Sequence, residues 1–360
     1  MIPCARPLLG KEEESRVIEV LRSGMLAAGS YVHEFEEQFK QYHNSRYAVA
    51  TSSGTTALHA ILRAMGIGAG DKVITTPYSF IATANAILYT KATPVFVDID
   101  PVTYTISPSQ LSIAVKEHPE AKAVIIVHLF GLPADMGAIL EIAKQNELIV
   151  LEDCAQAHGA TYQEQKVGTF GKAAAFSFYP SKNMTSGEGG MVLTDDPVIE
   201  EKVRILINQG QSRRYYHEMV GYNYRMTNIH AAIGVEQLKK LDIYNQKRRE
   251  NAKFYDENIA NPWIKKPVLP SDRSHVYHQY TLKVKNREAF TASLEANGIG
   301  YGIYYPTIIP KQPAYKNLAC SSGIWPVAEE LANTCVSIPV HPALFRNDLT
   351  TIVEVINNYR

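Results

Sequence analysis

The chain has no excess of either charge. Lys and Arg together number 36, Asp and Glu also number 36, and the formal net charge is +0 over 360 residues. A generic nucleic-acid binder carries a basic surplus, so that class is disfavoured. No run of roughly 18 apolar residues occurs, so no membrane-spanning helix is expected. The opening MIPCARPLLGKEEE has no apolar h-region, and no secretory signal is expected from it. Cysteine is scarce. Cys4, Cys154, Cys320 and Cys335 lie far apart without a CxxC pair, so no metal site or redox pair is expected. Reduced thiols in a cytoplasmic protein are the plain reading. Repeats and low-complexity linkers are missing too. Hydrophobic residues at 46% and charged residues at 20% fit a globular chain and argue against disorder.

What is present is an alternation of apolar, β-rich runs with helical patterns. The runs are Arg46–Thr51, Lys72–Thr75, TPVFVDID at 93–100, AKAVIIVHLFG at 121–131 and ELIVLEDCA at 147–155. They are short, rich in Val and Ile, and bounded by turn residues, as buried strands of a mostly parallel sheet are. Helical stretches such as ALHAILRAMG and FIATANAILYTKA lie between them. The expected fold class is α/β, a sheet layered between helices. At roughly 100–200 residues per domain, the length allows about two. A charged amphipathic helix pattern near 240 gives way to the proline-rich ANPWIKKPVLPSD. This places a boundary near 250, giving a large unit over 1–250 and a smaller α/β unit over 251–360. Trp263 and Trp325 read as packing residues.

In such sheets ligands gather beyond the carboxyl ends of the strands. That singles out Ser52–Thr55, Tyr78–Phe80 and Asp153–His158. The stretch SSGT, between a strand and a helix, could seat a phosphate on free helix N–H groups, or be an ordinary N-cap. Asp153 closes a buried strand run, where a carboxylate is either functional or a structural cap. Lys182 sits in SFYPSKNMTSGEGG. A desolvated lysine becomes a nucleophile toward carbonyls, whereas an exposed one in a glycine-rich loop does nothing. His128 and His158 each follow a strand, where a core or capping histidine is at least as frequent as a catalytic one. Together, SSGT, Phe80, Asp153 and Lys182 supply a phosphate cradle, an aromatic face, a carboxylate and an amine. A pyridoxal phosphate site requires those four parts.

At this point the sequence resembles the DegT/StrS-type nucleotide-sugar aminotransferase family, fold-type I enzymes that use pyridoxal 5′-phosphate. The resemblance runs through SSGTTALHAIL, TPYSFIATANAI, TPVFVDID, EDCAQAHGA, SFYPSKNMTSGEGGMVLTDD, GYNYRMTNIHAAIGVEQL, HQYTLKV and IPVHPAL. It implies that 1–250 is the cofactor-binding unit and that Lys182 bonds the cofactor and moves protons. It implies that Asp153 pairs with the pyridinium nitrogen, Gln156 lies beside the ring's phenolic oxygen, and Phe80 stacks on the ring. Gly54, Thr55 and Ser177 would cradle the phosphate. Asn223 would reach that phosphate from a neighbouring subunit, which implies a homodimer with shared sites. The implied reaction moves an amino group from L-glutamate to a nucleotide-linked keto-sugar, for amino-sugar or polysaccharide biosynthesis. A cyclitol or other keto-sugar acceptor is an alternative, as is a non-catalytic regulatory protein on the same fold. Relatives that dehydrate sugars carry histidine where this chain has Lys182. The loop 177–191 resembles enzymes of 4-keto sugars, and 304–315 resembles enzymes of 3-keto sugars, although Tyr304 stands where many relatives have histidine.

Overall fold

The computed structural model describes all 360 residues, and at its centre lies a seven-stranded sheet. Its strands are β1 (Tyr47–Thr51), β2 (Lys72–Thr75), β3 (Thr93–Phe96), β4 (Ala121–Val127), β5 (Ile149–Asp153), β6 (Ala173–Ser177) and β7 (Gly190–Thr194). Their spatial order is β1-β7-β6-β5-β4-β2-β3. Five neighbours run parallel, and β7 runs antiparallel to both β6 and β1. The carboxyl ends of β1, β2, β5 and β6 therefore share one edge. On that edge Ser177 pairs with Gly190, and Gly190 pairs with Thr51, so the three lie in a row.

Helices cover both faces, and their starts follow local chemistry. In α1 (Gly54–Ala64) the Ser53 hydroxyl accepts from the Thr56 N–H at 3.1 Å, and the Thr56 hydroxyl accepts from the Ser53 N–H at 3.0 Å. This reciprocal cap fixes where the helix begins, directly after β1. One face of the sheet buries Val49, Leu58, Ile61, Val73 and Ile125. The other buries Phe35, Phe39, Phe176 and Phe178 with part of a long helix, Asn228–Asn258. That helix passes residue 250 without a break. Its far half packs Ala252 and Tyr255 against Tyr280, Leu282, Phe290 and Ile352. A second sheet lies there, formed by Ile264–Lys265, Tyr280–Val284 and Cys335–Ile338, all antiparallel.

Several sequence-based expectations are adjusted. The run 93–100 leaves the sheet after Phe96, because Asp98 turns away to cap another helix, Pro326–Thr334. Its carboxylate accepts from the Val327 and Ala328 N–H groups, each at 3.0 Å. The run 121–131 ends as strand at Val127, and a one-turn helix follows in which Phe130 has φ 59°. Trp325 does pack, with its indole N–H donating to the Phe96 carbonyl at 3.0 Å. Trp263 does not, being 57% exposed. No helix is long and apolar enough to cross a membrane.

Candidate active site

Asp153 is the last residue of β5, level with Val127 and Ala175 in the neighbouring strands. It is buried, and its carboxylate accepts from the Thr83 hydroxyl at 2.8 Å and the Ala155 N–H at 3.1 Å. Burial pushes its pKa above the usual carboxylate value, while Thr83, Ala155 and the Lys182 charge pull it down. A cationic partner at this carboxylate would offset its desolvation.

Lys182 lies on the loop joining β6 to β7. Thr185 folds this loop by donating its hydroxyl to the Phe178 carbonyl at 2.8 Å. The next residue, Asn183, anchors it, donating to Asn245 Oδ1 at 2.8 Å and to the Val276 carbonyl at 2.9 Å. Burial lowers the Lys182 amine to about 8, and the Asp153 charge opposes that shift. Its ammonium nitrogen makes neither a hydrogen bond nor an ion pair, so the amine is free to react. His158, which the sequence left aside, lies near this lysine. It is fully buried, neither ring nitrogen has a partner, and burial lowers it to about 3. His128 is structural, bonded at 3.0 Å to Glu152, whose carboxylate also accepts from the Gly168, Phe170 and Gly171 N–H groups.

The start of α1 forms the third part. The N–H groups of Gly54 and Thr55 make no hydrogen bond within the chain, and neither does the Ser177 hydroxyl. A Cβ on Gly54 would stand 2.7 Å from Ser177 Cβ, and one on Gly190 would stand 2.3 Å from the Ser53 carbonyl oxygen. Only glycine lets these three backbones meet, and the result is a cluster of donors at a helix N-terminus. Phe80 comes three residues before Thr83 and is 55% exposed, an aromatic ring left uncovered near the buried carboxylate. Gln156 is buried, its Oε1 accepting from the Phe130 N–H at 2.7 Å and its Nε2 donating to the Tyr305 hydroxyl at 3.1 Å.

These donors, the carboxylate, the ring and the amine fit pyridoxal phosphate group by group. Asn223 behaves differently. Its backbone pairs with Asn208, and its exposed side chain forms no hydrogen bond. The contacts of one chain do not join it to Lys182. Sequence reasoning also missed Thr83 and Tyr305, whose roles depend on contacts made only after folding.

Residues 7–357 match the DegT/DnrJ/EryC1/StrS aminotransferase family. The chain belongs to this family. It is 40% identical over 339 residues to UDP-N-acetyl-3-dehydro-α-D-glucosamine 3-aminotransferase of Acidithiobacillus ferrooxidans, covering 94% of this chain and 91% of that one. It is 40% identical over 350 residues to dTDP-3-amino-3,6-dideoxy-α-D-galactopyranose transaminase of Aneurinibacillus thermoaerophilus, covering 97% and 95%. The crystal structure of DesV from S. venezuelae superimposes with a TM-score of 0.93 at 36% identity, covering 97% of this chain and 94% of that one. DegT-type members share the α/β fold-type I architecture seen here and are enzymes that use pyridoxal phosphate.

Proposed function

We propose that this DegT-family enzyme transfers an amino group from L-glutamate to a nucleotide-linked keto-sugar, at its 3- or 4-keto carbon. The observation that carries the reading is one sheet edge that brings together a free, low-pKa lysine, a buried carboxylate and a helix start with unpaired N–H groups. The names of the two relatives above supply the substrate class, each being an aminotransferase of a nucleotide-linked sugar. When bound, pyridoxal phosphate supplies an aldehyde that condenses with amines and a ring that accepts electron pairs.

The chain's own residues then divide the work. The Gly54 and Thr55 N–H groups and the Ser177 hydroxyl would hold the phosphate. Asp153, oriented by the Thr83 hydroxyl and the Ala155 N–H, would hold a proton on the ring nitrogen. Phe80 would cover one face of the ring, and Gln156 would reach the ring oxygen. Lys182, neutral above about pH 8, would bond the aldehyde and then carry a proton to and from the substrate carbon. Asn223 would complete the phosphate site of a neighbouring copy, which makes the working form a homodimer. We place the unit boundary near residue 250, supported by the separate apolar clusters at the two halves of the long helix. A cytoplasmic setting is supported by four cysteines that are all unpaired.

The test is an absorbance spectrum of the purified protein with pyridoxal phosphate, followed by L-glutamate. A band near roughly 410–420 nm that moves to about 330 nm on glutamate addition supports the reading. Absence of that band after cofactor addition removes the enzyme reading and favours a regulatory role on the same fold. Nucleotide-linked 3- and 4-keto sugars would then be screened as acceptors, with a cyclitol ketone as the control for the alternative substrate class.

A further inference from the structure

Gln156 is held from two sides, and the two contacts define which end of its amide is which. The Phe130 backbone N–H only donates, so the atom it meets at 2.7 Å is the amide oxygen. The amide nitrogen then faces the Tyr305 hydroxyl at 3.1 Å, giving up one of its two N–H groups. The second N–H remains available to the site.

Tyr305 is itself clamped. Its backbone N–H donates to the Tyr78 hydroxyl at 2.7 Å, and that hydroxyl donates to the Tyr304 carbonyl at 2.7 Å. Tyr78 follows β2 and precedes Phe80 by two residues, so the segment carrying the exposed ring also fixes Tyr305. The Tyr305 and Phe80 rings lie 6.1 Å apart. Burial raises the Tyr305 hydroxyl well above its usual pKa, with the Asp153 charge adding to the effect, so it stays protonated. Lacking this hydroxyl, the Gln156 amide would keep its contact to Phe130 but could swing its nitrogen away.

We propose that Tyr305 is a positioning residue that fixes the rotation of the Gln156 amide, whose oxygen Phe130 already holds, so that its free N–H stays aimed into the site. This rests on the cofactor reading given above. An N–H aimed at the ring oxygen would stabilise that oxygen's anionic form and so lower the proton affinity of the group that Lys182 would bond. Loosening that N–H would raise that proton affinity. The residue thus acts from beyond residue 300 on chemistry centred at Lys182.

The experiment is a pH titration of the visible band in the reconstituted holoenzyme, comparing the parent with Tyr305→Phe, Gln156→Ala and the double variant. Tyr305→Phe is expected to raise the apparent pKa by roughly 0.5–1 pH unit, Gln156→Ala by at least as much, and the double variant no further than Gln156→Ala. Tyr78→Phe, which releases the clamp but keeps the Tyr305 hydroxyl, is expected to give a smaller shift in the same direction. An unchanged pKa in Tyr305→Phe, or an equal added shift in the Gln156→Ala background, overturns the proposal. Absence of a visible band in the parent overturns the cofactor reading and this proposal together, and is recognised before any variant is compared.

Discussion

Lys182 and Asp153 feel each other's charge, yet their nitrogen and oxygen atoms do not come within ion-pair distance. Each is left with a demand the other does not meet. The carboxylate lacks a cation in contact, and the amine lacks any hydrogen-bond acceptor. A site arranged this way stays reactive because the obvious neutralising pair is not formed.

Replacing the amine removes the nucleophile. Lys182→Ala is expected to lose turnover entirely and to lose the visible band, although it still binds pyridoxal phosphate through the other contacts. Borohydride reduction followed by peptide mass spectrometry should attach the pyridoxyl mass to Lys182 in the parent and nowhere in the variant. Sugar amination at the parent rate by the variant would defeat the assignment.

The pH response follows from the same pair. Burial holds Lys182 at about 8, so the free protein's amine gains reactivity as pH rises through that value. The Asp153 charge works against the shift, so Asp153→Asn should lower the amine's pKa further. Stopped-flow rates of pyridoxal phosphate capture against pH should show the inflection near 8 in the parent and at lower pH in Asp153→Asn. The sign for stability is set as well. The folded pKa lies below the unfolded value of 10.5, so this group's penalty on the fold is full below 8 and disappears above 10.5.

Thr83 supports Asp153 with a buried hydroxyl. Thr83→Val keeps the shape and removes the donor, leaving a buried carboxylate oxygen without that partner. The expected loss is about 1–3 kcal/mol in urea unfolding at neutral pH. The Asp153 pKa should rise, and cofactor affinity should fall.

Gly54 and Ser177 are too close for a methyl group. Gly54→Ala is expected to cost about 1–3 kcal/mol by overpacking, with weaker binding of pyridoxal phosphate. Ser177→Gly in the same chain removes the opposing Cβ and should restore stability, but not the lost hydroxyl donor. Calorimetric melting and cofactor titration separate the two effects.

If Asn223 serves the neighbouring copy, two dead variants should rescue each other. Mixing Lys182→Ala with Asn223→Ala concentrates both defects in one site of each hybrid dimer and leaves the other site whole. Activity should return to about a quarter of the parent level after random subunit exchange. No recovery, with exchange confirmed by mass, would place Asn223 outside the shared site.

Much of this was legible in the chain because strand ends and chemistry coincide. Apolar runs marked β1 to β5, the run at β3 overshooting past Phe96, and Asp153 closes one of them. The strands β6 and β7 were not marked. AAAFS has no β-branched residue, and GMVLT opens on glycine, so neither carries a strong strand signal. Thr83 and Tyr305 were invisible for a different reason. Tyr305 meets Gln156 across 149 positions of sequence, and Thr83 meets Asp153 across 70, so no local pattern links them.

The helix from Asn228 to Asn258 has 31 residues, a rod of roughly 46 Å. Bending it would cost several backbone hydrogen bonds at once. The rod thus ties the two halves of the chain into one stiff frame, and Tyr305 and Trp325 pin the C-terminal half to the large sheet through Gln156 and the Phe96 carbonyl.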